Sequence, residues 1–365
     1  MIIIHDARTS ICIADLQIGI GSYMKKTLIV LSILFASLIV WSLLTASAGE
    51  YRKTKNPGFS FETIIINSPD PERLSVFYKN VFRAKRIDMD PDWTLGNSPG
   101  SGIALRTPDY KEEGPILVLL KSGKSVQNST SANDLGYAHI CFEADDLRGL
   151  VREIVKNGGT IVSTFPDPEK APAIYAKDPD GNVFEIHFPF PTPLAPSTIY
   201  RSLDSLIRTN FKLSPPKTDR IRFLHVNINS KDWKKILSFY SKILDTSATG
   251  FERDYKGDFI ENLTGVREAK VQGKHLLLPG YSEGGPTFEI FTYNNFSKRG
   301  PLDKSDIGRI AVGLRVFDLR SFVKKILQEG GTSLDEKGNT AILKDIEGNL
   351  LLVSSKKSNS EKSNP

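Results

Sequence analysis

Apolar and polar positions along the chain follow two periods, and the two follow one another four times. A short run of strand character gives way each time to apolar residues spaced three or four apart, the mark of an amphipathic helix. Residues 61–68 (FETIIINS) precede Leu74, Phe77, Tyr78, Val81 and Phe82, and residues 137–144 (YAHICFEA) precede Leu147, Leu150, Val151, Ile154 and Val155. Residues 222–229 (RFLHVNIN) precede Trp233, Ile236, Leu237, Tyr240, Ile243 and Leu244, and residues 309–316 (RIAVGLRV) precede Leu319, Phe322, Val323, Ile326 and Leu327. Gly158-Gly159-Thr160 and Gly330-Gly331-Thr332 close the second and fourth helices, where glycine supplies a left-handed cap. Short β-type runs separated by turn residues follow every helix. The pattern predicts an α+β chain of four βαβββ units.

A longer period overlies the short one. Phe77-Tyr78 answers Phe239-Tyr240, and DPDGN at 178–182 answers DIEGN at 345–349, which gives two domains at 57–192 and 220–355. The connection, 193–219, follows a proline-rich stretch from Phe188 to Pro196 and holds Leu203, Leu206, Ile207 and Phe211 before Pro215-Pro216. It reads as an extended crossover with a short packed helix. The tail, 356–365, is rich in Lys, Ser and Asn and reads as frayed.

Residues 1–48 carry another pattern. Met24-Lys25-Lys26, the apolar run Leu28 to Leu44 and Ala46-Ser47-Ala48 supply the charged start, apolar centre and small-residue cleavage site of a secretory signal. Residues 1–23, with Asp6 and Asp15, fit poorly as such a start, so Met24 is expected to be the first residue. The apolar run is long for a signal and barely long enough to span a bilayer, so an uncleaved membrane anchor is the alternative. Either way the body is expected outside the cytoplasm, periplasmic or extracellular. His5 and Cys12 would then be missing from the mature chain, leaving Cys141 as its one thiol and no internal disulfide. Composition adds little: 39% hydrophobic and 25% charged residues over 365 positions describe an ordinary globular chain. The net charge of +6 is spread among acidic residues without a basic stripe, which excludes a nucleic-acid footprint.

The segment His225 to Asp232 followed by Phe239-Tyr240, and likewise Thr63 to Tyr78, resembles the opening of a vicinal-oxygen-chelate module. Asp178-Pro-Asp-Gly-Asn-Val-Phe-Glu185 resembles the closing turn and last strand of one, and Gly285 to Phe291 resembles a fourth strand. The resemblance to this superfamily (glyoxalases, bleomycin-resistance proteins and extradiol dioxygenases) covers nearly all of residues 58–354. It implies tandem glyoxalase-like domains of mixed, curved sheets that form cups with helices outside. It also implies one metal ligand from the first strand of a unit and one from the last. Unit two then offers His139 and Glu185, and unit three His225 and Glu289. Unit one has Thr63 and no acid in 116–120, and unit four has Ala311 and Leu352, so both are blank. If units pair within each half, every cup has two ligands at most. If units two and three share a cup, as the family's glyoxalases pair units of different halves or subunits, two imidazoles and two carboxylates meet, within a monomer.

Such a set suits a divalent zinc, nickel, cobalt or iron ion and leaves adjacent positions for the paired oxygens of a small molecule. The metal would polarise a carbonyl, and Glu185, where the resemblance places a proton-shuttling glutamate, would move the proton. Strand alternation turns Asn227 and Asn229 inward with His225, Cys141 with His139, His187 with Glu185 and Phe291 with Glu289, as residues lining the cup. Cys141 reads as a small buried filler rather than a nucleophile. His187 is either a donor behind a ligand or exposed at the strand end, and His275, with no ligand pattern, is assigned to the surface. A glyoxalase-type lyase or isomerase is the leading expectation. A non-catalytic binding protein of bleomycin-resistance type is the alternative. An extradiol dioxygenase ranks lower, because its histidines would come from adjacent units of one half.

If the N-terminal segment is a cleaved signal, sequencing of the exported product should begin at Gly49. A full-length, soluble, cytoplasmic chain would contradict this, and a membrane-retained one would support the anchor.

Overall fold

The structure, a computed structural model, describes residues 59–96, 102–108, 114–122, 130–190, 196–211, 220–281, 285–297 and 299–355, besides the isolated Ser32 and Ser37. The signal-like segment, Pro191 and Pro193 of the crossover, Pro215-Pro216 and the tail lie outside the described residues. Among the described residues no helix is long and apolar enough to cross a membrane.

Four βαβββ units follow in order. Unit one holds β1 (Phe59–Ser68), α1 (Pro71–Phe82), β2 (Lys85–Ile87), β3 (Gly102–Arg106) and β4 (Ile116–Lys121). Unit two holds β5 (Ile140–Ala144), α2 (Leu147–Lys156), β6 (Thr160–Ile161), β7 (Ala173–Lys177) and β8 (Val183–His187), and α3 (Pro196–Phe211) links it onward. Unit three holds β9 (Ile221–Asn229), α4 (Trp233–Leu244), β10 (Ala248–Lys256), α5 (Asp258–Thr264), β11 (Lys270–Leu277) and β12 (Thr287–Tyr293). Unit four holds β13 (Gly308–Val316), α6 (Leu319–Gln328), β14 (Thr332–Lys337), β15 (Thr340–Lys344) and β16 (Leu350–Ser355). The unit helices start alike: the side chains of Asp70, Asp146, Asp232 and Asp318 each accept from a backbone N–H of the first turn, which satisfies donors the helix itself cannot.

The strands form two eight-stranded sheets, and each sheet takes one unit from each half of the sequence. Units one and four make the sheet β14-β15-β16-β13-β1-β4-β3-β2, and units two and three make β10-β11-β12-β9-β5-β8-β7-β6. The segments 57–192 and 220–355 are thus not separate bodies; the described residues between Phe59 and Ser355 fall in one compact unit. What joins units within a half is the helix layer. Tyr78 of α1 donates to Asp178 in the turn of unit two at 3.0 Å, and Tyr240 of α4 donates to Asp345 in the turn of unit four at 2.8 Å. The helices and one face of both sheets share a continuous apolar core, in which Phe82 stacks on Phe142 at 3.9 Å and Phe61 meets Phe288 at 6.0 Å. Sheet pairing across the halves and helix packing within them close the four units into a ring.

The linker departs from its apolar pattern. Leu206 and Ile207 of α3 are exposed and Leu203 is half-buried, while Arg201 and Ser205 are buried. The helix docks through charge: Arg201 Nε lies 2.6 Å from Glu143 Oε1, Arg222 bonds the other oxygen at 3.1 Å, and Ser205 donates to Asp145 at 2.6 Å. Burial pushes the Glu143 carboxyl up, but the two guanidiniums outweigh it and hold it below its usual range.

Because each half holds only one unit of each sheet, residues 50–195 and 215–365 expressed separately should fail to give cooperatively folding monomers, and co-expression should restore them. Circular dichroism melts with size-exclusion chromatography would check this. A half that melts cooperatively as a monomer would contradict the pairing.

Candidate metal centre

Strand order positions the candidate ligands. β5 and β9 pair antiparallel, with Cys141 opposite His225 and Ile140 opposite Val226. β8 lies parallel to β5 with Glu185 beside Cys141, and β12 lies parallel to β9 with Glu289 beside Asn227. Ile140, Phe142, Val226 and Ile228 face the helix-side core, so the residues alternating with them share the concave face. His139 sits one residue ahead of β5, where its carbonyl accepts from Asn227 N at 2.8 Å. Arg309 of β13 donates to the carbonyls of Tyr137 and Ala138 just before it.

The four side chains meet. His225 Nε2 lies 3.2 Å from Glu185 Oε2 and 3.3 Å from Glu289 Oε2, and His139 Nε2 lies 3.4 and 3.3 Å from the same two oxygens. The two Nε2 atoms are 3.4 Å apart. Donors about 2.0–2.2 Å from one ion are separated by about 3.3–3.6 Å along a tetrahedral edge and about 2.8–3.1 Å along an octahedral one. The observed spacings fit that range, and the set is of the kind that can hold a divalent ion.

Charge points the same way. Burial pushes the Glu185 carboxyl up, but hydrogen bonds from His139 and His225 outweigh it and hold it down at about 2. Glu289 is held well below its usual range against burial, by the charge of His225 and by the hydrogen bonds of His139, His225 and His275. Burial lowers His225, but Glu289 and Glu185 lift it to about 9. Two carboxylates are buried together here, and an unbalanced buried charge is costly. A divalent cation removes the imbalance.

The equivalent positions of the other sheet are Thr63, Val118, Ala311 and Leu352, all nearly or fully buried. That cup is filled. Trp93, from the one-turn 3-10 helix Pro91–Trp93, packs into an apolar cluster with Ile65, Val118, Ala311 and Leu352. Gly313 makes the room, since a Cβ there would press on Thr63 and the Trp93 ring. Arg315 covers the indole at 4.5 Å and is bound by Asp90, Asp92 and Glu62.

A cavity of about 320 Å³ opens over the His/Glu cluster. Glu185, His187, His225, Glu289 and Phe291 line it. Cys141, Asn227 and Asn229 do not, although all three share the concave face and are fully buried. Cys141 lies under the ligands, its thiol pushed up by burial and then by the charge of Glu185. Asn227 Nδ2 donates to Glu289 Oε2 at 3.3 Å, and Asn229 Nδ2 holds the carbonyls of Ala132 and Asp134 at 2.7 and 2.8 Å. His187 is buried, bonded to the Phe188 carbonyl at 2.6 Å.

His275 is not a surface residue. It is 2% exposed, lies directly across from Glu289 in the β11–β12 ladder, and its Nε2 approaches Glu289 Oε1 at 3.3 Å while Nδ1 contacts Thr287 Oγ1 at 2.8 Å. Burial lowers its pKa to about 4. Its period-two companions Val271, Gly273 and Leu277 are buried too, and that alternation is the signal the sequence offers for it. Two further contributors carry weaker signals: α5, with Phe259, Ile260 and Leu263 on the cavity wall, and Arg253 with Tyr255 from β10. Tyr175 of β7 is a third, its hydroxyl 3.5 Å from His139 Nε2.

Residues 63–187 match the glyoxalase-like domain family. Glyoxalase I from Zea mays superposes with a TM-score of 0.52 at 16% identity, covering 81% of this chain and 92% of that one. A variant of that maize enzyme gives 0.52 at 16%, covering 83% and 94%. At such identity the likeness is one of fold. No curated protein sequence is a match. Residues 63–187 thus carry a glyoxalase-like domain, and the four βαβββ units in two curved sheets share the fold of the tandem-domain glyoxalases.

Proposed function

We propose that His139, Glu185, His225 and Glu289 hold one divalent metal ion, and that the chain is an exported lyase or isomerase of glyoxalase type acting on a small molecule with vicinal oxygens. The observation that carries this is the convergence of two imidazoles and two carboxylates, from two units, at the foot of a cavity. When bound, the ion would supply Lewis acidity toward a carbonyl oxygen.

The two carboxylates are held differently. Glu289 is engaged at both oxygens, Oε1 by His275 and Oε2 by His139, His225 and Asn227. The histidine contacts of Glu185 run through Oε2 alone, with the Cys141 thiol its other hydrogen-bonding neighbour, while both carboxylates line the cavity. Glu185 is therefore the carboxylate free to turn, take a proton from the carbon beside the substrate oxygens and return it to the neighbouring carbon. A positioned base of this kind contributes about 10²–10⁴ in rate. Asn227 and His275 keep Glu289 oriented while Glu185 moves, and Tyr175, raised well above its usual pKa by burial and then the Glu185 charge, stays neutral.

Full-length protein purified without chelators or an affinity tag should carry about one metal ion per chain by elemental analysis. Thr63→Ser should keep it, whereas His225→Ala and Glu289→Gln should lower affinity by about tenfold or more, since each leaves an incomplete set of ligands. Glu185→Gln should retain part of the metal but lose proton exchange from an α-hydroxy ketone in D2O, read by NMR. Equal retention of metal across all variants would contradict the assignment and favour a non-catalytic binding protein. Undiminished exchange in Glu185→Gln would end its role as base.

A further inference from the structure

Beyond the His/Glu cluster the cavity is lined by Tyr175, His187, Tyr255, His275 and Arg253 as polar groups. Leu224, Phe259, Ile260, Leu263 and Phe291 form much of the wall. Arg253 is the only lysine or arginine among the lining residues described. No neighbouring acid among the described residues pairs with it. The one hydrogen bond it makes runs from Nη1 to the Phe251 carbonyl at 2.6 Å, and among the described residues no carboxylate lies within ion-pair distance. A guanidinium offers five N–H donors in a planar fork, so most of this one remains available. Arg315, at the filled cup, shows the contrast: it is bound by Glu62, Asp90 and Asp92.

An arginine at the cavity lining with spare donors is suited to a carboxylate or phosphonate, which it can grip through two parallel bonds. Arg253 lies one strand out from β11, paired with Gly273, two residues along from His275, which faces Glu289, so the anion it takes is a second group, not the oxygens directed to the cluster. We infer that the substrate is a monoanion with an apolar body, its vicinal oxygens at the His/Glu cluster and its single oxyanion at Arg253. This rests on the metal reading above and narrows it. A tripeptide thiol conjugate, with two carboxylates and an ammonium, would bring two anions to a lining that holds one guanidinium.

The test uses full-length, metal-loaded protein and isothermal titration calorimetry. Benzohydroxamate supplies paired oxygens and an apolar ring. Its para-carboxylate and para-carboxymethyl derivatives add the anion at two reaches, and a para-phosphonate distinguishes the two oxyanions. At least one anionic probe should bind about tenfold to a hundredfold more tightly than benzohydroxamate, the range of one charge-assisted pair. Arg253→Met should abolish that advantage and leave benzohydroxamate affinity unchanged, and Arg253→Lys should keep part of it. S-Hexylglutathione should bind more weakly than the best anionic probe. Benzohydroxamate binding without any gain from the anion, or a gain that survives in Arg253→Met, overturns the assignment of Arg253 alone. Failure of every hydroxamate to bind overturns the metal reading and this inference together.

Discussion

The antiparallel pairing of β5 with β9 is the constraint on which the site depends. Ligand-bearing strands from opposite halves of the sequence become neighbours there, with Cys141 opposite His225. The parallel neighbours β8 and β12 then bring Glu185 and Glu289 to the same face. A slip of one residue would turn each strand's side chains to the opposite face, putting the histidines into the apolar core and Ile140 and Val226 into the cavity. Burial of that core, which joins both sheets through the helices, therefore enforces the register that assembles the cluster.

The same architecture accounts for one His/Glu cluster rather than two among the described residues. The sheet of units one and four repeats the geometry, but Thr63, Val118, Ala311 and Leu352 stand at the ligand positions and the Trp93 indole fills the space. An apolar plug of that size contributes to stability through packing. The two cups thus divide the labour: one is packed for stability, and the other carries the buried negative charge. Tyr78–Asp178 and Tyr240–Asp345 clasp each filled-cup unit to a unit of the other sheet.

Much of this is legible in the sequence because it is written in local periods. The four strand–helix repeats, the glycines closing the second and fourth unit helices and the faces of His139, His225, Glu185 and Glu289 all follow from alternation and family spacing. What escapes is set by pairing or by charge. His275 faces Glu289 only because β11 lies beside β12, which no window of sequence reveals. The buried face of α3 is not the one its apolar spacing marks through Leu206 and Ile207, because Arg201 and Ser205 are drawn in against Glu143 and Asp145. Asn227 and Asn229 do face the concave side, but hydrogen bonds to Glu289 and to the loop at Ala132 and Asp134 keep them out of the cavity.

The central claim is that units two and three together make one metal centre and that units one and four make none. Anomalous diffraction from crystals grown with cobalt addresses it directly. The account predicts one peak per chain, within bonding distance of His139, Glu185, His225 and Glu289, and no density beside Trp93. A peak in the filled cup, or one bound by ligands from a single half of the chain, would contradict it.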